Sequence, residues 1–171
     1  EVFTFPIEDY YKRVGFDFDK IPFSMLAHEY MEDYQEKSYA CDLHSDVLDV
    51  VNKAKNLGFS QTVLSASKMD YLLKQMETLH VDDLFDSIYG INDIYAKSKV
   101  ELAHAFKQTC SQDDEIYFVG DSVHDYEVAK SIGAKCILVT TGHQNRATLE
   151  SVNVPVMDSL MESLDLIYER D

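Results

Sequence analysis

The sequence predicts an α/β fold built on a parallel sheet with right-handed crossovers. Two observations carry this. From about Asp46 onward, short β-rich runs alternate with segments whose apolar residues recur at helical spacing. In addition, Ile116-Tyr117-Phe118-Val119 runs directly into Gly120-Asp121, and a second acid, Asp125, follows four residues later. An unbroken apolar run ending in a turn is the pattern of a buried parallel strand. Open α/β sheets bind ligands at the carboxyl ends of their strands, and two neighbouring carboxylates there suit a hard cation such as Mg2+.

Each element has its own warrant. Ser45 to Leu57 carries Val47, Leu48, Val50, Val51 and Ala54 on a helical repeat, and Gly58 follows as a stop. Gln61 to Ser65 is a short β-rich run. Ser67 opens a helix in this reading, with Asp70 as a capping-box-like acid and Leu72, Leu73, Met76 and Leu79 as the apolar face. Asp86 to Gly90 is a weak strand. A helix is expected over Ser98 to Thr109, turning Val100, Leu102, Ala103 and Phe106 inward. After the strand at Ile116 to Val119, a helix is expected from Tyr126 to Ile132, stopped by Gly133. A strand from Cys136 to Thr140, a helix from Thr148 to Val152, a strand from Val154 to Met157 and a helix from Ser159 complete the pattern.

Residues 1–43 differ. Tyr10, Tyr11, Phe16, Phe18, Phe23, Tyr30, Tyr34 and Tyr39 crowd a segment of mostly helical pattern, strongest from Phe23 to Tyr39, with no clear strand. The expected organisation is a helical module over 1–43 and an α/β core over 44–171.

Composition narrows the function. A chain of 171 residues holds one ordinary domain with a small addition. With 46% hydrophobic and 27% charged residues it has a globular profile. Acids outnumber bases 31 to 15, for a net charge of −16, which repels phosphate backbones and argues against a nucleic-acid partner. The acids are scattered, as on a solvated surface. Cys41, Cys110 and Cys136 lie far apart with no metal-ligand spacing, which fits a reducing cytoplasm. No apolar run approaches the ~20 residues of a membrane span, so no membrane partner is expected.

Three segments fall at successive strand ends. Thr62-Val63-Leu64-Ser65-Ala66-Ser67 ends a strand with hydroxyls just before a helix, where a hydroxyl and the neighbouring amides can hold a phosphate oxygen. Ser67 itself reads as a plain N-cap. Ala96-Lys97-Ser98-Lys99 opens the next helix, and a lysine there opposes the macrodipole unless it meets an anion at the sheet edge. Lys97 reads as a surface lysine. The third segment is Gly120-Asp121-Ser122-Val123-His124-Asp125.

Together and in this order, these segments resemble the haloacid dehalogenase-like (HAD) hydrolases, and the resemblance covers nearly the whole chain. It implies a Rossmann-like core with part of a helical cap at the N-terminus. It implies that Ser65 and Ala66 bind phosphate, that Lys99 stabilises the phosphoryl group, and that Asp121 and Asp125 hold Mg2+. Ser65, Lys99 and Asp121 are then the catalytic set, and the substrate is a small phosphorylated metabolite. Thr140-Thr141-Gly142-His143 and Pro155-Val156-Met157-Asp158-Ser159-Leu160 are similar to the closing loop and strand of the phosphoglycolate phosphatase-like branch.

Family members begin with a strand ending in Asp-x-Asp-Gly, whose first aspartate attacks phosphorus. The one Asp-x-Asp here, Asp17-Phe18-Asp19, follows no apolar run and is followed by Lys20-Ile21-Pro22 where a Gly-Thr turn belongs. A turn role is expected for it. The expectation is therefore a core whose first strand and nucleophile lie upstream of Glu1. Such a core exposes sheet edges and is expected to self-associate or to be completed by another segment. The alternatives are a non-catalytic HAD-like binding domain, a sugar-phosphate mutase of the same family, and a receiver-like domain. The last is disfavoured because its acidic cluster would come from the first strand. His124 and His143 are expected in loops, and Arg146 is a candidate for the far end of the substrate.

Overall fold

A computed structural model describes residues 7–26, 34, 37–91 and 98–169. The chain divides into two compact units, Glu1–Asp42 and Leu43–Asp171. In the first, helix α1 spans Ile7–Arg13, with acids in its first turn and Lys12 and Arg13 in its last, matching the macrodipole. Most of the helix expected between Phe23 and Tyr39 lies outside the described residues. The rings of Tyr10, Tyr11, Phe16, Phe18 and Phe23 form an edge-to-face cluster, in which Tyr11 meets Phe16 at 5.1 Å and Phe23 at 6.0 Å between centroids.

Asp17 closes a turn rather than a strand. Its Oδ1 accepts the backbone N–H of Asp19 at 3.1 Å, and its Oδ2 pairs with Lys20 at 2.9 Å.

In the second unit the elements alternate along the chain. Helix α2 (Val47–Asn56) precedes strand β1 (Thr62–Lys68), helix α3 (Met69–Thr78) and strand β2 (Ser87–Ile91). Helix α4 (Lys99–Thr109) precedes strand β3 (Tyr117–Gly120), helix α5 (Val123–Ser131) and strand β4 (Lys135–Val139). Helix α6 (Arg146–Glu150), strand β5 (Val156–Met157) and helix α7 (Leu160–Tyr168) follow. All strand pairs are parallel, and the Lys-Cys-Ile-Leu-Val strand β4 is buried at four successive positions, as a doubly covered parallel strand should be.

Among the described residues the strands do not form one sheet. β1 pairs with β2, and β3-β4-β5 form a separate sheet. Two apolar clusters serve the two sheets: Leu72, Met76 and Val81 under β1 and β2, and Ala129, Cys136, Leu138 and Leu149 under β4. A third cluster, Ala103, Val128 and Ile132, joins them, because Leu64 of β1 and Phe118 of β3 both pack on it.

Several expected boundaries shift for identifiable reasons. α3 begins at Met69, not Ser67, because β1 runs on to Lys68, and no side chain caps the helix. α5 begins at Val123, not Tyr126, because Ser122 and Asp125 form a capping box. Leu48 and Leu73 are 47% and 40% exposed, although both were expected on apolar faces. α2 and α3 each bury one narrow stripe, Val51 with Ala54 and Leu72 with Met76. No helix among the described residues is long and apolar enough to cross a membrane.

Candidate active site

The site is built on the turn between β3 and α5. Ser122 Oγ accepts the N–H of Asp125 at 3.2 Å, and Asp125 Oδ2 accepts the N–H of Ser122 at 3.1 Å. The same Oδ2 accepts the N–H of Asp121 at 3.0 Å and the hydroxyl of Ser122 at 2.8 Å. Oδ1 pairs with Lys99 Nζ at 2.5 Å. Asp125 is 3% exposed, so both oxygens are committed inside the protein. Burial pushes its carboxyl pKa up, but the charge and hydrogen bond of Lys99, then Ser122 and the Asp121 N–H, outweigh it and hold the carboxyl below its ordinary value.

This pairing explains the lysine at the start of α4. Ser98 is the N-cap, its side chain accepting the N–H of Glu101 at 3.3 Å, and Lys99 follows as the first helical residue. Its ammonium would be unfavourable there, but it reaches across to Asp125 and also lies 5.6 Å from the centre of the Phe118 ring. Lys97 lies outside the described residues.

Gly120 completes the arrangement. A Cβ at this position would lie 2.4 Å from Asp125 Cβ, so only glycine leaves room for that carboxylate beside the strand end.

Asp121 faces the other way. With its side chain 39% exposed, it lines a cavity of about 470 Å3 together with His44, Thr141, Gly142 and His143. Its Oδ2 accepts the backbone N–H of His143 at 2.9 Å, and Oδ1 has no hydrogen-bond partner among the described residues. As a cation ligand it supplies one open carboxylate. No group of three His, Cys, Asp or Glu side chains with metal-holding geometry occurs among the described residues. A hard cation with six or more oxygens therefore fits this chain only as part of a larger donor set.

Ser65 and Ala66 lie at the carboxyl end of β1, where the pairing with β2 becomes irregular between Leu64 and Lys68. Ser65 Oγ accepts the N–H of Ser67 at 3.1 Å, which makes a tight hydroxyl turn. Ala66 is exposed there. Lys99, Asp125 and Asp121 thus form one bonded cluster, and Ser65 stands on the neighbouring sheet with no described hydrogen bond to it.

Two other sequence-predicted residues, His124 and Arg146, fall outside this cluster. His124 sits exposed in the first turn of α5, 3.4 Å from Glu127. Arg146 is not open for a ligand: it pairs with Asp158 and Glu150 and donates to the carbonyl of Val156. Gly142 and Gln144 were not anticipated as site residues, and neither carries chemistry that a sequence pattern would flag.

The comparison with protein families decides the assignment. The model of the haloacid dehalogenase-like hydrolases matches residues 1–139. The chain belongs to that family. Phosphoglycolate phosphatase 1 of Pseudomonas aeruginosa is 23% identical over 139 residues, or 79% of this chain and 51% of that protein. A protein named as pyrophosphatase PpaX in Caldanaerobacter subterraneus is 26% identical over 127 residues, or 71% of this chain and 57% of that protein. The chain thus spans about half the length of the curated relatives it matches. The haloacid dehalogenase-like protein SP0104 from Streptococcus pneumoniae shares the fold, with a TM-score of 0.83 at 20% identity over 95% of this chain and 76% of that one.

Proposed function

We propose that this HAD-family chain carries most of a Mg2+-dependent phosphate monoester hydrolase, acting on a small phosphorylated metabolite. The observation that carries the reading is the Lys99–Asp125 pair set beside the open carboxylate of Asp121 at the end of β3. In this reading Asp121 holds the cation and Asp125 fixes the turn that presents it. Ser65 and the amide at Ala66 hold phosphoryl oxygens, and Lys99 offsets the charge that develops on them. Mg2+, when bound, would draw charge from the phosphoryl oxygens. The helical segment 1–43 is read as part of a cap that selects the substrate. The three free cysteines suit a cytoplasmic setting.

The nucleophile is the part this chain does not supply, because Asp17 spends its carboxylate on a turn. The split sheet supports its arrival on another strand. Among the described residues β1 and β3 each pair on one edge only, while Leu64 and Phe118 share one apolar cluster beneath them. A single parallel strand, ~4.8 Å from each edge, would join the two sheets and end beside Asp121. An aspartate at its end would attack phosphorus as the P–O bond to the leaving alcohol breaks. The alkoxide would take its proton from a second acid, and water would then cleave the acyl phosphate.

The test is hydrolysis of p-nitrophenyl phosphate with and without Mg2+, on this chain and on a polypeptide extended upstream. Turnover only in the extended polypeptide is the expected result. Turnover in this chain that Asp17→Asn abolishes would overturn the assignment of the nucleophile. Silence in both, with a broader panel of phosphate esters also unreactive, would favour a non-catalytic binding domain.

A further inference from the structure

The loop that leads from β4 to α6 forms one wall of the candidate site. Thr141, Gly142 and His143 line the cavity onto which Asp121 opens. The N–H of His143 donates to Asp121 Oδ2 at 2.9 Å. Gln144 Oε1 accepts the N–H of Val123 at 2.8 Å, a donor that the first turn of α5 leaves without an intrahelical partner. Residues 141–145 belong to no helix or strand, so the shape of this wall rests on what holds its ends.

Both ends meet on a single carboxylate oxygen. Asp158 follows β5, and because β3, β4 and β5 are parallel it stands at the same edge of the sheet as Asp121. Its Oδ1 accepts the hydroxyl of Thr140, the residue after β4, at 3.0 Å. The same Oδ1 accepts Nη2 of Arg146, the first residue of α6. The bond from Arg146, and then that from Thr140, hold the Asp158 carboxyl below its ordinary value. Exposed ion pairs add little to global stability. A short loop, however, opens locally, and the few bonds at its base govern that opening.

We propose that Asp158 is a positioning residue of the site: by gathering Thr140 and Arg146 on one oxygen, it holds the 141–144 wall against Asp121 and Val123. That this wall bounds a phosphate-ester site rests on the function proposed above.

The test follows amide hydrogen exchange by NMR in the intact chain. In Asp158→Ala the His143 and Val123 amides should exchange roughly three- to tenfold faster, the range for losing one hydrogen bond and one exposed ion pair. The Leu138 amide donates to the Pro155 carbonyl at 2.9 Å across the neighbouring strands and should keep its rate. The urea midpoint should stay close to that of the wild type. Asp158→Asn keeps the accepting oxygen and should stay within about twofold of the wild type at His143 and Val123. Unchanged rates at these two amides in Asp158→Ala would overturn the proposal. So would an equal acceleration at Leu138, which would mark a loss of β5 pairing, or Asp158→Asn rates as fast as those of Asp158→Ala. In the upstream-extended polypeptide, Asp158→Ala should raise the KM for p-nitrophenyl phosphate about three- to tenfold and leave kcat within about twofold. A loosened loop with an unchanged KM would overturn the link to the site. A wild-type extended polypeptide that hydrolyses no phosphate ester would count against the proposed function instead, and the exchange rates would then decide the clasp by themselves.

Discussion

Replacing Lys99 with methionine removes the cation from a carboxylate that is 3% exposed. Taking one partner from a buried pair typically costs about 3–5 kcal/mol. Here three donors stay on Oδ2: the N–H groups of Asp121 and Ser122 and the hydroxyl of Ser122. The Lys99 side chain is also 18% exposed, so the lower end, about 2–3 kcal/mol at pH 7, is the expected loss. The pH dependence gives the sharper check. With Lys99 present, the Asp125 pKa lies below its ordinary value of 3.8, so the pair stabilises the fold above that value and the contribution is lost as pH falls through the depressed pKa. Without Lys99, burial is opposed by hydrogen bonds alone and the pKa moves up. The variant then takes up a proton as pH falls, and its deficit relative to the wild type narrows. Urea denaturation of both proteins at pH 7 and pH 4 measures this. An equal deficit at the two pH values, or a deficit below about 0.5 kcal/mol at pH 7, would refute the account of Asp125 as a buried anion held by Lys99.

Further outcomes follow from the same geometry. Gly120→Ala places a methyl group 2.4 Å from Asp125 Cβ and should destabilise the fold by about 1–3 kcal/mol, read from a urea midpoint. Ser122→Ala removes the cap of α5 and one donor to Asp125, and should cost about 1–2 kcal/mol in the same assay. Arg146→Ala should leave the urea midpoint close to that of the wild type despite its two ion pairs, because the pairs are exposed and screened. Burial, with Asp125 nearby, pushes the Cys136 thiol up to about 12, so at pH 8 a thiol reagent should label exposed Cys41 quickly and Cys136 only after unfolding.

The legible parts of the sequence were those where one residue type serves one physical end. Buried strand β4 is a plain apolar run, and Ser98 and Ser159 each cap a helix where the sequence placed its start. The site acids stood out because Gly120-Asp121 ends such a run. Helix starts were less legible where two signals compete. The Ser122-x-x-Asp125 capping box is a readable pattern, yet the apolar spacing after Tyr126 suggested a later start. Asp46 is another case: it precedes α2 in sequence, but its carboxylate accepts the N–H groups of Leu160 and Met161 at the start of α7. No local pattern encodes a cap given to a helix more than a hundred residues away. Gly142 is similar: a Cβ there would collide with the Asp121 side chain, 21 positions earlier in sequence and brought close by the β3–β4 pairing.

The electrostatics of the sheet edge bear on what the chain can do alone. Lys99 is the cation bonded within the cluster, and its charge is already matched by Asp125. Asp121 adds a second carboxylate nearby, so the cluster carries one net negative charge inside a chain of −16. A phosphate dianion brought there meets repulsion that Ser65 and a few backbone amides offset only in part. On the proposed reading, binding would need a cation whose charge exceeds that of the carboxylates holding it, and the single open oxygen of Asp121 would hold such a cation weakly. A further carboxylate on a strand between β1 and β3 would tighten the cation, and the cation would in turn draw the phosphate. On the proposed reading, affinity for cation and for phosphate should therefore rise together when a strand fills the gap between β1 and β3, and both should be weak without it.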